Sequence, residues 1–130
     1  MTVIKKKKKA PAKKAALKLQ DIIVEAIRDK KGENIIGLNI GKISESVADF
    51  FIICEADNTT QVGAIAGSVE ALAKKKLGEI PWHTEGHQSN EWVLIDYVDI
   101  VVHIFLTEKR NFFQLEDLWS DAEITEYPQS

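Results

Sequence analysis

The stretch EWVLIDYVDIVVHIFL, residues Glu91–Leu106, decides the fold. Two apolar runs rich in β-branched residues, Trp92–Ile95 and Ile100–Phe105, flank the segment Asp96–Asp99, which predicts a tight antiparallel hairpin. Both faces of each run are apolar, so the regular alternation of a half-solvated strand is excluded. We therefore expect the hairpin to lie in a sheet whose two faces are both largely covered.

Polar side chains are conspicuous in so apolar a stretch, and we expect function at the hairpin tip. Asp96 and Asp99 bracket the turn, and Tyr97 lies at its tip. His103 stands within a continuous hydrophobic strand, where a structural hydrogen-bonded histidine is weighed against a catalytic or pH-sensing one. Trp92 begins its strand beside a polar loop and fits either a core residue or a flat contact surface for a protein partner.

Length and composition indicate a single domain in the cytoplasm. The chain has 130 residues, of which 45% are hydrophobic, enough for one core. No run reaches the length of a transmembrane helix and the N-terminus lacks the apolar core of a secretory signal, so we expect a soluble protein without a membrane partner. Its one cysteine, Cys54, is predicted to be a small buried core residue.

Charge divides the chain into two opposing parts. Residues 1–18 hold eight lysines and no acid, whereas residues 19–130 hold nine lysines or arginines against twenty acids. The acidic body should repel nucleic acid and favour a basic protein partner. Residues 1–14 read as a disordered, lysine-rich arm, which either serves as a solubilising tail or contacts RNA phosphates. The candidate RNA contacts are Lys5, Lys6, Lys7, Lys8 and Lys9.

Periodicity predicts a mixed sheet of about five strands flanked by helices, an α/β (α+β) domain. Asn58 and Gln61 have the spacing of a capping box at the start of the second helix, and Gly78 suits its C-terminal cap. Residues 123–130 are predicted to be an acidic surface tail. The remaining predicted elements are a helix over 15–31, strands over 34–40, 48–54 and 80–84, the hairpin strands, and short helical turns after residue 106.

Most catalytic constellations fail. His83 and His87 have metal-ligand spacing, but Pro81 and Gly86 make the required helix improbable, so we predict no metal site. No glycine-rich phosphate loop or nucleophile elbow occurs, and no cofactor is expected. One enzymatic alternative stays open, a magnesium-dependent nucleotidyltransferase that would use the strand-end acids Asp49, Asp96 and Asp99. A second alternative is an RNA-binding module led by the lysine arm.

Several segments together resemble the ribosomal silencing factor family, also called the RsfS or Iojap family. These segments are ADFFIIC, the later Gln61, the pair Glu85-Gly86, EWVLIDYVDIVVHIF and FFQLEDLWSDA, and the likeness runs from about Leu19 to Ala122. The resemblance implies a family domain over residues 15–122. It also implies a fold similar to nucleotidyltransferases that have lost their catalytic acids.

The function that the resemblance implies is translational repression without catalysis. Family members bind ribosomal protein fourteen of the large subunit and sterically block the small subunit, which silences translation when nutrients are limiting. A homodimer of the free protein is a further expectation. The partners expected from the resemblance are thus the large ribosomal subunit and, through the arm, ribosomal RNA.

The resemblance also places family positions on the hairpin and on Glu85-Gly86, and from these we predict the binding residues. We expect Trp92, Leu94 and Tyr97 to form an apolar anchor, with Asp96 and Asp99 pairing with basic residues of the ribosomal protein. Glu85, next to Gly86, would lie at the rim. The family's usual glycine after the tyrosine is replaced here by Val98, which disfavours a type I′ turn and predicts a different turn at the tip.

Overall fold

The computed structural model describes residues 9–40, 49–113 and 123–128, with side chains described from residue 18 and, in the second range, up to residue 110. None of the helices in this described part combines the length and apolar character that crossing a bilayer requires. The helices are α1 (Lys9–Asp29), α2 (Thr59–Leu77) and α3 (Thr107–Phe113). The strands are β1 (Glu33–Asn39), β2 (Phe50–Ala56), β3 (His83–Glu85), β4 (Trp92–Asp96), β5 (Ile100–Leu106) and β6 (Glu123–Tyr127).

The strands form one mixed sheet in the order β3-β4-β5-β2-β1-β6. The central pair, β2 and β5, is parallel, with Ile53 level with His103, and every other neighbouring pair is antiparallel. The hairpin predicted over Glu91–Leu106 is confirmed as β4 and β5. The mixed sheet with its helices also confirms the predicted fold class, and β6 is the strand beyond the five expected.

Helices α1 and α2 pack together on one face of the sheet and bury the larger core. Their apolar positions recur every three or four residues, so each helix turns one stripe inward. Cys54 lies in this core as predicted, and burial raises the pKa of its thiol to about 12 because the thiolate would be desolvated. The fully buried helix residues of this core are Ile23, Ala26, Ile27, Val62, Ile65, Ala66, Val69 and Ala73.

A smaller cluster occupies the opposite face of the sheet, so the central strands β2 and β5 are buried on both faces, as expected of β5. Alternate residues of the strands point there because side chains of a strand alternate in direction. Trp92 and Leu94 of β4 lie at the margin of this cluster and are only partly buried. Its buried members are Leu38, Ile40, Phe51, Ile53, Val101 and Phe105.

The predicted caps of α2 are present, but the capping box is only half formed. The Asn58 side chain accepts a hydrogen bond from the backbone N–H of Gln61 at 2.8 Å, and Gly78 adopts the left-handed cap conformation with φ 68°. The Gln61 side chain does not return to the cap. Its Nε2 donates instead to the carbonyls of Lys30 and Lys31, at 3.0 and 3.2 Å, and so ties the start of α2 to the end of α1.

Both chain ends differ from the secondary structure expected of them. Helix α1 begins at Lys9 rather than at Ala15, because alanine and lysine favour helix and Pro11 falls in the first turn, where its missing N–H costs nothing. We predicted an acidic surface tail over residues 123–130, and Glu123–Tyr127 instead pair with β1 as an edge strand. The Tyr127 hydroxyl accepts a hydrogen bond from the Gln20 side chain of α1, which fixes that strand to the helical layer.

Candidate functional site

One face of β3, β4 and β5 gathers most of the predicted site. Trp92, Leu94 and Asp96 alternate along β4 and therefore point to the same face. Their cross-strand neighbours on β5 are Phe105, His103 and Val101, respectively. On the other side, the short edge strand β3 places Glu85 opposite Leu94 and His83 opposite Asp96. The site is thus an apolar strip with acids at its outer edge and at the hairpin end.

Trp92 is held against this face by two contacts. Its ring stacks on Phe105 with centroids 5.0 Å apart and planes inclined by 29°. Its indole Nε1 donates a hydrogen bond to Nδ1 of His103 at 3.1 Å. The tryptophan remains partly exposed, so a flat aromatic surface reaches solvent from a fixed position.

His103 is buried among aromatic rings and is neutral. Its ring lies 4.6 Å from that of Phe51 in an edge-to-face arrangement. Desolvation lowers the pKa of His103 to about 3, because burial disfavours the charged imidazolium. A neutral ring that accepts at Nδ1 carries its proton on Nε2, which has no hydrogen-bond partner within the described part of the chain. These surroundings favour a structural role for His103 over a catalytic or pH-sensing one.

The hairpin tip uses a turn other than type I′, as the valine in place of glycine predicted. Val98 has a φ of 76° and is the one tip residue with positive φ, whereas a type I′ turn needs two. The N–H of Asp99 donates to the carbonyl of Tyr97 at 2.9 Å, the hydrogen bond of a γ-turn. Asp96 stabilises the turn because its Oδ1 accepts from the N–H of Val98 at 2.7 Å.

Tyr97 does not lie beside Trp92 and Leu94. It follows Asp96 by one position and so turns to the opposite face, where it is 5% exposed in the core beneath the helices. Burial raises the pKa of its phenol, and the negative charges of Glu70 and Glu79 add to that rise. The structure therefore brings two of the three predicted anchor residues together and places the third behind them.

Glu85 and Gly86 occupy the edge of the site. Glu85 is exposed, and its carboxylate lies 2.7 Å from Nε2 of His83. Gly86 has a φ of 90°, and a Cβ added there would stand 2.0 Å from the carbonyl oxygen of Trp92. Only glycine allows the loop to pass so close to the start of β4, so Gly86 sets the backbone position of the tryptophan.

The acids of the enzymatic alternative lie at one end of the sheet. Asp49 precedes β2, Asp99 precedes β5, and the carbonyl of Asp99 accepts from the N–H groups of Asp49 and Phe50 at 3.0 and 3.1 Å. Asp96 closes the neighbouring strand β4. Across residues 9–40, 49–113 and 123–128, no group of three or more His, Cys, Asp or Glu side chains is arranged to hold a metal ion.

Two exposed apolar residues next to the site were not singled out from the sequence. Trp82 is 71% exposed and Ile80 is 67% exposed. The N–H of Trp82 donates to the carbonyl of Asp96 at 2.8 Å, so this tryptophan begins directly beside the hairpin tip. The sequence feature that indicates an exposed Trp82 is its position between Pro81 and His83 in a polar segment. Of the proposed RNA-contact lysines, Lys5 to Lys8 lie outside the described residues, and Lys9 begins α1.

A family model described as "Ribosomal silencing factor during starvation" matches residues 13–130. The chain belongs to the ribosomal silencing factor family. It is 42% identical to ribosomal silencing factor RsfS of Halalkalibacterium halodurans over 108 residues, which cover 83% of this chain and 91% of the relative. It is 37% identical to RsfS of Bacillus subtilis over 105 residues, or 81% and 87% of the two chains. Family membership supports a ribosome-associated role in silencing translation.

The fold of this silencing factor is shared with solved structures. A crystal structure of a Chromobacterium violaceum protein superposes with a TM-score of 0.76 at 36% identity, covering 80% of this chain and 85% of that one. A Bacillus halodurans protein superposes with a TM-score of 0.74 at 37% identity, covering 85% and 99%. The sequence-based recognition of the family is therefore confirmed, and the family match extends past Ala122 through β6.

Proposed function

We propose that this silencing factor docks on ribosomal protein fourteen of the large ribosomal subunit and blocks association with the small subunit. The docking surface consists of Trp92, Leu94 and Asp96, with Glu85 at the rim. In this proposal the protein acts in the cytoplasm by occupying space, without catalysis, and lowers translation when nutrients are limiting. The observation that carries the proposal is the partly exposed indole of Trp92, fixed on a rigid sheet and bordered by carboxylates.

The chemistry of this surface suits a basic protein partner. A fixed aromatic ring supplies contact area at small entropic cost, and tryptophan is enriched among the residues that dominate binding energy. Asp96 supplies negative charge at the hairpin end of the strip and Glu85 supplies it at the outer edge beside Leu94, where lysine or arginine of a ribosomal protein would pair with them. Tyr97 lies behind this surface, in the core beneath the helices, and is not part of the docking face.

Once the protein is docked, blocking of the small subunit requires only that the docked body is rigid and occupies the contact surface. A body anchored on the subunit-facing surface of the large subunit excludes the small subunit if it is rigid and remains bound. The sheet is stabilised by buried apolar clusters on both faces, which gives the docked body that rigidity. No moving part or bound cofactor is required for the proposed mechanism.

Sedimentation of purified large and small subunits with this protein tests the proposal. Wild type should comigrate with the large subunit and suppress the joined particle. Trp92→Ala should weaken binding to ribosomal protein fourteen by about 2 kcal/mol or more, roughly thirtyfold in Kd, because a central aromatic anchor is lost. Trp92→Phe, which keeps a ring against Phe105, separates loss of the anchor from loss of folding.

Two acid-to-alanine variants are the matched controls. Glu85→Ala, at the rim of the docking surface, should slow association and cost less affinity than Trp92→Ala. Glu126→Ala, an exposed acid on β6 at the far edge of the sheet, should leave binding unchanged. Equal losses for Trp92→Ala and Glu126→Ala would refute this docking surface, and a wild type that leaves subunit joining untouched would refute the function.

A further inference from the structure

We propose that His103 is a positioning residue for the docking surface, because its Nδ1 holds the Trp92 indole in the orientation that meets the partner. This inference rests on the proposed function and names a residue that would never touch the partner itself. His103 is 4% exposed and lies one layer beneath the surface that Trp92 presents.

The register of the hairpin makes this hydrogen bond diagonal rather than direct. Trp92 stands opposite Phe105, and Leu94 stands opposite His103. The indole therefore leans along the face from its own partner toward the next residue on the same side of β5, and its centroid lies 6.0 Å from that of the imidazole. Stacking on Phe105 alone leaves the ring able to turn about its side-chain torsions, whereas the bond from Nε1 to Nδ1 fixes its direction.

Aromatic packing in turn holds the acceptor in place. The His103 ring lies between Phe51 and Phe105, with centroids 4.6 and 6.3 Å away. Because burial keeps this imidazole neutral, Nδ1 remains an acceptor throughout the physiological pH range. The tautomer that accepts at Nδ1 leaves Nε2–H buried without a partner in the described part of the chain. A buried, unpaired donor is costly, so hydrophobic packing alone does not account for a histidine at this position.

The functional consequence is a pre-organised anchor. A side chain already held in its bound orientation loses less conformational entropy on binding than one that must be ordered by the partner. The indole N–H is also satisfied within the protein, so the ring offers its exposed surface to the partner without desolvating a free donor.

The test is a double-mutant cycle on binding to isolated ribosomal protein fourteen. His103→Phe keeps an aromatic ring but removes the acceptor, and it should raise Kd about threefold to tenfold. His103→Asn restores an oxygen acceptor at the position of Nδ1 and should bring Kd back to within about twofold of wild type. Because His103 acts through Trp92, adding His103→Phe to Trp92→Phe should raise Kd no further. Ile104→Val, on the opposite face of β5, controls for general loss of core packing.

A second measurement, of indole N–H exchange, uses only the wild-type protein and so does not depend on whether any variant folds. The indole N–H signal of Trp92 in a ¹⁵N spectrum should exchange with solvent at least tenfold more slowly than that of Trp82, whose side chain is largely exposed. Equal exchange rates would overturn the inference, as would His103→Phe binding like wild type or multiplying its loss with Trp92→Phe. A wild type that fails to bind ribosomal protein fourteen overturns the proposed function, and this inference with it.

Discussion

Val98 holds the hairpin tip in a conformation that its own side chain opposes. Its φ of 76° lies in a region that β-branched residues rarely adopt, because Cβ approaches the following carbonyl group. Two hydrogen bonds offset that cost, from Val98 N–H to Asp96 and from Asp99 N–H to Tyr97. The strain lies beside Asp96, one of the two proposed docking acids, and the γ-turn fixes where the chain leaves β4 after Asp96.

Replacing this valine with glycine should stabilise the protein. The substitution relieves about 1–2 kcal/mol of steric strain in the folded protein. Glycine also makes the unfolded chain more flexible, which lowers stability, but by less than this relief. Val98→Gly should therefore raise the free energy of unfolding by about 1 kcal/mol. Urea denaturation monitored by circular dichroism measures the change. Val98→Ala retains a Cβ and should give no such gain, so equal effects of the two substitutions would argue against strain at this position.

The sequence predicts the role of a single residue where that role depends only on neighbours in the chain. Asn58 and Gly78 cap their helix as expected because a cap depends on a few neighbouring residues. Tyr97 shows where that reasoning failed. Grouping it with Trp92 and Leu94 ignored the alternation of side chains past Asp96, which turns the tyrosine into the core. The exposure of Trp82 depends on where the short edge strand β3 begins, which the sequence does not specify.

At the scale of elements, a buried ion pair fixes the short helix α3 to the sheet. Arg110 Nη1 lies 3.2 Å from the Glu55 carboxylate, and both side chains are less than 10% exposed. The same nitrogen donates to the carbonyl of Asn34 at 2.7 Å, and Thr107 Oγ1 donates to the carbonyl of Ala56 at 3.1 Å. A helix this short is not stable alone, so these contacts determine where it lies.

Breaking this pair on one side should be costly. Arg110→Met leaves the Glu55 carboxylate buried without its cation and should lower the free energy of unfolding by about 3–5 kcal/mol. The double substitution Glu55→Leu/Arg110→Met buries no lone charge and should recover most of that loss. Lys76→Ala breaks an exposed pair with Glu25, at 3.3 Å, and should cost less than about 1 kcal/mol. Chemical denaturation compares all three, and similar losses for Arg110→Met and Lys76→Ala would contradict this account.

Element prediction succeeded for apolar strands and failed for the polar one. The hydrophobic runs that became β2 and β5 are buried on both faces, and the run that became β4 is buried on one face and half-buried on the other, so their apolar composition identified all three. Strand β6 has the sequence EITEY and four of its five residues are exposed, so its order comes from pairing with β1, more than eighty residues earlier. Such non-local pairing leaves no local pattern in the sequence.

For the whole molecule, the dominant feature is the separation of charge between residues 1–18, which include the lysine arm, and the rest of the chain. Residues 19–130 carry a net charge of −11 and residues 1–18 carry +8. The acidic body should accelerate encounter with a basic ribosomal protein, while the arm should be repelled by that protein and attracted to ribosomal RNA. On a large subunit that displays both basic protein and RNA, we therefore expect the acidic body to bind the protein and the lysine arm to contact the RNA.

Deleting residues 1–8 should have opposite effects on the two targets. The deletion removes four lysines, Lys5 to Lys8, and leaves α1 to begin where it does in the full chain. Association with isolated ribosomal protein fourteen should become faster, because like charge is removed, and the gain should fade with added salt as screening increases. Affinity for the intact large subunit should fall, and the slope of log K against log salt should flatten by up to about 3, since each lost phosphate contact contributes roughly 0.7–0.9. Replacing the same lysines with glutamines separates the effect of charge from the effect of chain length.

Two outcomes would contradict this account of the arm. An unchanged slope of log K against log salt on the intact subunit would mean that the arm contacts no RNA there. Binding that depends wholly on the arm would favour the RNA-binding alternative over docking through Trp92.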